Sequence, residues 1–187
     1  MTRRGVILYG PPASGKDTIT AELSRQDDRF VLLTKLKAGT GRSRGYRYVS
    51  ADELDALRDA GRVVLETERY GNRYAVDRHD IDALTNAGCI PVVHVGDIAG
   101  LQDLGAAVPL TWTSVRLWVP RETTAERSAA RGDTDTPSRV RAWNEADADL
   151  RANGEAVTFD LTIRTNEADP AEAAKLISQA CLGADSS

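Results

Sequence analysis

Apolar residues along this chain fall in two alternating patterns. Gly5-Val6-Ile7-Leu8-Tyr9 is a short unbroken run of β-formers, as expected of a strand buried on both faces. The glycine-bearing segment Gly10 to Gly15 ends it, and beyond Lys16 the apolar positions Ile19 and Leu23 stand four apart, one face of a helix. Phe30–Leu33, Ile90–Val95 and Val115–Val119 repeat the continuous pattern, with Leu161–Arg164 a weaker version, and helical spacing separates them. This alternation predicts an α/β fold of three layers, a mostly parallel central sheet between helices.

Within it, residues 34–78 read differently. Thr34 to Gly45 is polar, with three glycines and four basic residues, and is expected to be a surface loop. Tyr46-Arg-Tyr-Val, Arg62-Val-Val-Leu-Glu and Arg73-Tyr-Ala-Val are expected as small strands. Ser50 is placed to cap a helix over Ala51–Ala60 that Gly61 ends. A small mixed α/β lobe is implied. Arg121 to Leu150 predicts helix, mobile loop and helix around Gly132–Ser138. A last helix runs from Pro170 to about Leu182 and leaves a frayed tail. The whole is expected to be a single domain, with a core of 1–33, 79–121 and 143–187, a lobe of 34–78 and a lid of 122–142.

Composition narrows the function classes. The chain has 187 residues, and a formal net charge of −4 gives no global basic field of the kind that binds nucleic acid nonspecifically. No apolar run approaches a membrane span and no signal-like segment is read at the start, so a cytoplasmic location is expected. Cys89 and Cys181 lack zinc or disulfide-framework spacing, and His79 and His94 alone do not compose a hydrolase triad.

One motif carries chemistry. Gly10-Pro11-Pro12-Ala13-Ser14-Gly15-Lys16-Asp17-Thr18 matches Gly-x-x-x-x-Gly-Lys between a predicted strand and a predicted helix. In such a loop, backbone amides and the positive end of the following helix face phosphate oxygens, and the lysine reaches the β- and γ-phosphates. Asp17 stands where Ser or Thr is usual. The expectation is therefore that the Thr18 hydroxyl approaches Mg²⁺ while Asp17 binds a metal-bound water or faces the acceptor.

With these residues in view, the chain resembles the guanylate kinase family, in order from about Gly5 to Leu182. Thr34-Lys35-Leu-Lys37-Ala-Gly is similar to that family's Thr-Arg-x-x-Arg-x-Gly acceptor-phosphate segment, with lysines for both arginines. Tyr46-Arg-Tyr-Val-Ser resembles Tyr-x-Phe-Val-Ser. Ala60 to Glu66 followed by Gly71-Asn-Arg-Tyr74 resembles Gly-x-x-Leu-Glu and Gly-Asn-x-Tyr-Gly. Val92 to Gly100 resembles the segment carrying the family's second base-reading aspartate, here Asp97. Arg127-x-x-x-Arg131-Gly with Arg139 or Arg141 resembles the lid, and Thr165-Asn166 the adenine-side segment.

The resemblance implies ATP and Mg²⁺ as cofactors, a small-molecule nucleotide acceptor, and a monomer or homodimer without nucleic-acid or membrane partners. It implies Lys16, Arg127, Arg131 and Arg141 as catalytic. Gly10 to Thr18 and Asn166 would bind ATP, and Thr34, Lys35, Lys37, Tyr46, Glu66, Tyr74 and Asp97 the acceptor. Glu66 and Asp97 would accept hydrogen bonds from the N1–H and exocyclic amine of guanine. Arg42, Arg44 and Arg73 could compensate for the two lysines. Thr40, where a glutamate is common, and Ala75, in place of a glycine, depart from the pattern. The Gly-Lys-Asp-Thr variant is also similar to ribose 1,5-bisphosphate phosphokinases, and a non-catalytic interaction module is a third reading.

Overall fold

The computed structural model describes residues 2–41, 45–69, 71–132 and 135–183. Its strands are β1 (Arg4–Tyr9), β2 (Phe30–Leu32), β3 (Lys35–Ala38), β4 (Tyr46–Tyr48), β5 (Val63–Arg69), β6 (Asn72–Asp77), β7 (Ile90–Val95), β8 (Thr111–Trp118) and β9 (Leu161–Arg164). Its helices are α1 (Lys16–Gln26), α2 (Ala51–Asp59), α3 (Arg78–Asn86), α4 (Ile98–Ala107), α5 (Arg121–Ala130), α6 (Thr136–Asn153) and α7 (Pro170–Gly183).

Five strands form a parallel sheet in the order β2-β7-β1-β8-β9. Period-two alternation divides β1 between two cores. Val6 and Leu8 pack with Ile19 and Leu23 of α1 and Ile177 of α7. Ile7 and Tyr9 pack with Ile81 of α3 and Ile98, Leu101 and Leu104 of α4. The continuous apolar run thus covers a sheet with helices on both faces, as expected, and the fold is the α/β three-layer arrangement. Helix α6 closes one side, where Trp143 Nε1 donates to Val119 O at 3.0 Å and the ring packs on Trp118.

A second sheet, ordered β4-β3-β6-β5, is mixed: β3 and β4 are parallel, whereas β6 is antiparallel to both β3 and β5. Helix α2 packs beneath it, where Leu54 is buried with Leu36 and Ala75. Ser50 caps α2 in a reciprocal box with Glu53, with the Glu53 amide donating to Ser50 Oγ at 3.1 Å and the Ser50 amide to Glu53 Oε2 at 2.7 Å.

The sequence expectation of a surface loop over Thr34–Gly45 is corrected here. Lys35–Ala38 is a strand inside the second sheet, and Leu36 is fully buried. Polar composition misled because β3 is short and two of its side chains face a cavity rather than a core. The expected lid boundary at 142/143 falls inside α6, which runs unbroken. The tail expected to fray lies outside the described residues beyond Gly183, as does part of the Gly132–Ser138 loop. Among the described residues no helix is long and apolar enough to cross a membrane.

Candidate active site

At the carboxyl ends of β1 and β7, between the second sheet and α5–α6, lies a cavity of about 850 Å³. Open parallel sheets place ligand sites at this edge because strands end there and loops diverge. One wall is the Gly10–Thr18 loop. Gly10 has no room for a Cβ, which would strike the Leu117 carbonyl oxygen of the adjacent strand. Gly15 takes φ 91° where the chain turns into α1, and Ala13 takes φ 60°, an alanine in the left-handed region that costs about 1 kcal/mol. The first turn of α1 leaves its amides without intrahelical acceptors, directed at the cavity.

Lys16 folds back over this loop, its Nζ donating to Gly10 O at 2.6 Å, Pro11 O at 2.8 Å and Ser14 Oγ at 3.3 Å. Burial lowers the Lys16 ammonium to about 7; Asp17 opposes the shift and the charges of Arg69 and Lys35 add to it. Three loop acceptors hold the position that phosphate oxygens would take.

Arg127 secures the loop from α5. Its guanidinium donates to Ala13 O at 3.0 Å, Thr165 Oγ1 at 3.2 Å and Thr165 O at 2.7 Å, while Thr165 Oγ1 donates to Ser14 O at 2.8 Å. Arg131 and Arg139 line the cavity, Arg139 donating to Asp135 Oδ1 at 3.0 Å. Arg141 does not. It is exposed and donates to Ser138 Oγ at 2.9 Å, because two residues along a helix turn a side chain to nearly the opposite side. Of the two candidates for that role, Arg139 is the one at the cavity. Asn166 is exposed and off the cavity, with Thr165 and Ala168 facing it instead.

The opposite wall is one face of the second sheet. Lys35 and Lys37 of β3, Tyr46 of β4, Thr67 and Arg69 of β5, and Asn72 and Tyr74 of β6 all face inward. Lys37 Nζ lies 5.5, 5.3 and 5.6 Å from the ring centres of Tyr46, Tyr48 and Tyr74, a cation–π cage around a nearly buried ammonium. Burial lowers the Lys35 ammonium to about 8. Asn72 Oδ1 accepts the Thr40 amide at 2.6 Å and shapes the Gly39–Gly41 turn at the rim.

Glu66 is not in the cavity, which corrects the expectation of a base-reading pair. Tyr74 pairs with Thr67 across the strands and Ala75 with Glu66, so strand alternation puts Glu66 on the far face. There it accepts from Arg58 Nε and Nη2 at 2.9 Å each and from Arg73 Nε at 2.8 Å. Arg73 also binds Asp55 at 2.7 Å and is therefore no substitute for a missing cavity arginine. Thr34 is exposed and off the cavity. Arg42 and Arg44 lie outside the described residues. Asp97 does line the cavity, but it caps α4, accepting from the Gly100 amide at 2.7 Å, with Arg69 Nη2 at 3.9 Å.

Arg69 and His94 are cavity residues that the sequence alone does not single out. Arg69 reaches back from β5 to donate to Gly96 O at 3.3 Å, bringing a cation to the cavity wall. Alternation from Thr67 gives its face, but nothing local says that β5 ends beside β7. The sequence gives His94 no role beyond a triad that it does not compose. In the fold its Nε2 is 2.8 Å from Thr20 Oγ1 and its Nδ1 is 3.8 Å from Asp17 Oδ1. Burial, then Lys16 and Lys35, lower its imidazole to about 3, so it is neutral.

For a hard divalent cation the available donors are the Asp17 carboxylate and the Thr18 hydroxyl, both exposed at the cavity mouth beside the loop. They fit Mg²⁺, which keeps several waters and takes phosphate oxygens with one or two protein ligands. Among the described residues no cluster of three or more His, Cys, Asp or Glu could hold a metal alone.

No family model matches the chain. A guanylate kinase of Ralstonia nicotianae is 29% identical over 103 residues, 52% of this chain and 46% of that protein, so the match spans about half the relative's length. In fold, the chain is similar over its whole length to guanylate kinase from Anaplasma phagocytophilum, with a TM-score of 0.69 at 17% identity and 88% of that chain covered. A sugar kinase from Janibacter sp. HTCC2649 follows at TM-score 0.56 and 17% identity, with 98% of this chain and 95% of that one covered. Shikimate kinase from Acinetobacter baumannii, in complex with shikimate, gives 0.52 and 15%, with 100% and 97% covered. The chain is thus similar to guanylate kinases, in sequence over about half of its length and in fold over all of it.

Proposed function

We propose that this protein is an ATP- and Mg²⁺-dependent phosphotransferase whose acceptor is itself a phosphate ester, a nucleoside monophosphate such as GMP, dGMP or a modified relative, yielding the diphosphate and ADP. The observation that carries this reading is the convergence of Lys16, Lys35, Lys37, Arg69, Arg131 and Arg139 on one cavity in a chain whose formal net charge is −4. Two anions meeting head to head need that density of positive charge.

On this reading the loop amides and Lys16 hold the triphosphate, and Lys16 trades the carbonyls of Gly10 and Pro11 for β- and γ-oxygens. Lys37, Tyr46 and Tyr74 seat the acceptor phosphate on the lobe of 34–78. Arg69 and Lys35 stand between the two anions and neutralise the charge that accumulates as they approach. An acceptor oxygen attacks the γ-phosphorus in line, the bond to the β–γ bridging oxygen breaks, and ADP leaves. Thr18 and Asp17 would hold Mg²⁺, which would supply further charge neutralisation to the triphosphate. Arg127 fixes the loop through Ala13 O, while Arg131 and Arg139, from the proposed lid of 122–142, approach the migrating group and exclude water.

A second reading, a sugar-phosphate acceptor such as ribose 1,5-bisphosphate, draws on the position of Glu66. With that carboxylate paired on the far face, a guanine finds Asp97 alone. A coupled ADP-release assay across GMP, dGMP, AMP, CMP, UMP and ribose 1,5-bisphosphate tests both. Turnover with a nucleoside monophosphate is the expected result, and turnover with the sugar phosphate alone selects the second reading. Absence of turnover together with absence of ATP binding removes both and leaves a non-catalytic module.

A further inference from the structure

His94 is the penultimate residue of β7, level with Leu8 of β1, and its imidazole lines the cavity next to Asp17. Its protonation pattern follows from one neighbour. Thr20 Oγ1 lies 2.8 Å from Lys16 O and 2.8 Å from His94 Nε2, and a hydroxyl has a single proton. Given to the Lys16 carbonyl, that proton leaves Thr20 Oγ1 as an acceptor, and both contacts are satisfied only when His94 Nε2 carries the ring proton. Nδ1 is then a bare lone pair. Among the described residues it has no hydrogen-bond donor, and it lies 3.8 Å from Asp17 Oδ1.

A deprotonated nitrogen whose partner N–H is tied to an oxygen is the arrangement of a ligating histidine, in which the second hydrogen bond fixes tautomer and ring orientation. A cation with ligand distances of about 2.1 Å can bridge donors up to about 4.2 Å apart, which includes this pair. Asp17 is 72% exposed along its side chain and free to adjust, whereas His94, at 17%, is held. Oxygen-only sets suit Mg²⁺; an added imidazole favours Mn²⁺ and Co²⁺.

We propose that His94 Nδ1 is a ligand of the cation that accompanies the triphosphate, opposite Asp17, and that the site takes Mn²⁺ or Co²⁺ in preference to Mg²⁺. This deepens the phosphotransferase reading and rests on it. The substitution of aspartate for the usual hydroxyl after the loop lysine and the histidine facing it are then one device rather than two departures.

Pulsed EPR of Mn²⁺ bound to the full chain with inorganic triphosphate tests this, because that ligand contains no nitrogen. The expected result is nitrogen modulation from a directly bound ring, changing from the ¹⁴N to the ¹⁵N pattern in protein grown on ¹⁵N-histidine. The chain has two histidines, and His79 does not line the cavity. His94→Ala should remove the modulation and lower Mn²⁺ affinity relative to Mg²⁺ by at least about tenfold. Because the isotope readout needs no substitution, a folding defect in that variant leaves the test intact. Mn²⁺ and triphosphate bound together without nitrogen modulation would overturn the histidine ligand while the phosphate cradle stands. No binding of either would overturn the cradle and the ligand together.

Discussion

Lys16 lends itself to a quantitative test because enclosure alters its charge before any ligand arrives. Among the protein's own groups, burial lowers the ammonium to about 7, with Arg69 and Lys35 contributing in the same direction. A triphosphate seated on the loop places several negative charges against Nζ and restores the charged form, since an opposite charge at contact outweighs desolvation. Binding must therefore draw protons from solvent. With a value of about 7 for the protein alone and the ammonium returned to its ordinary, fully charged range by the triphosphate, uptake at Lys16 is about 0.1 proton per site at pH 6, about 0.5 at pH 7 and about 0.9 at pH 8. Calorimetric titration of the nucleotide in two buffers of different ionisation enthalpy, repeated at these three pH values, measures this directly. At pH 8 the γ-phosphate of free ATP is already ionised and does not mask the effect. Lys16→Gln should abolish most of the uptake and weaken binding. Uptake at pH 8 below about 0.3 proton, or uptake unchanged in Lys16→Gln, would refute the argument that an enclosed lysine is recharged by phosphate.

Three further tests address the two walls and the frame. Glu66→Gln should leave acceptor choice within about twofold while costing about 0.5–1.5 kcal/mol of stability through its half-exposed pairs with Arg58 and Arg73; a collapse of guanine selectivity in the acceptor assay would show that Glu66 turns into the cavity on binding. Arg69→Met removes the cation proposed to stand between the two anions and should lower kcat/KM by about 100-fold or more with the fold intact by circular dichroism, whereas an effect on thermal stability alone would reduce it to a wall residue. Asp77, whose side chain is fully buried, caps α3 and binds Arg62 and Arg47; burial raises its carboxyl, but the hydrogen bonds of Arg62 and the His79 amide and the charges of both arginines prevail and hold it below the usual carboxylate range. Its stabilisation is thus present above about pH 4 and is lost as pH falls through the lowered folded value, so Asp77→Ala should cost about 2–4 kcal/mol in urea unfolding at pH 7 and less at pH 3. An equal cost at both pH values would refute the ionic origin.

Much of this molecule is local and therefore legible in the amino-acid order. The run from Gly5 to Tyr9, the glycines around Lys16 and the spacing of Ile19 and Leu23 specify strand, anion-binding turn and helix, because each depends on neighbours within a few residues. The Ser50–Glu53 box and the strands β5 and β6 follow from equally short-range rules. What could not be read this way depends on which of two faces a residue takes and on what the fold sets opposite it. In a strand one position separates a cavity face from its reverse, so Glu66 went to Arg58 and Arg73 while Thr67 and Arg69 faced inward. On α6 two positions separate Arg139 from Arg141 by more than half a turn. Lys35–Ala38 is a strand only because β6, more than thirty residues later, supplies its antiparallel partner, and His94 meets Asp17 only because β7 lies beside β1. Sequence order fixed the chemical groups available for phosphate; tertiary pairing decided which of them share a cavity, because strand register and helix phase are settled by distant partners and not by the residue itself.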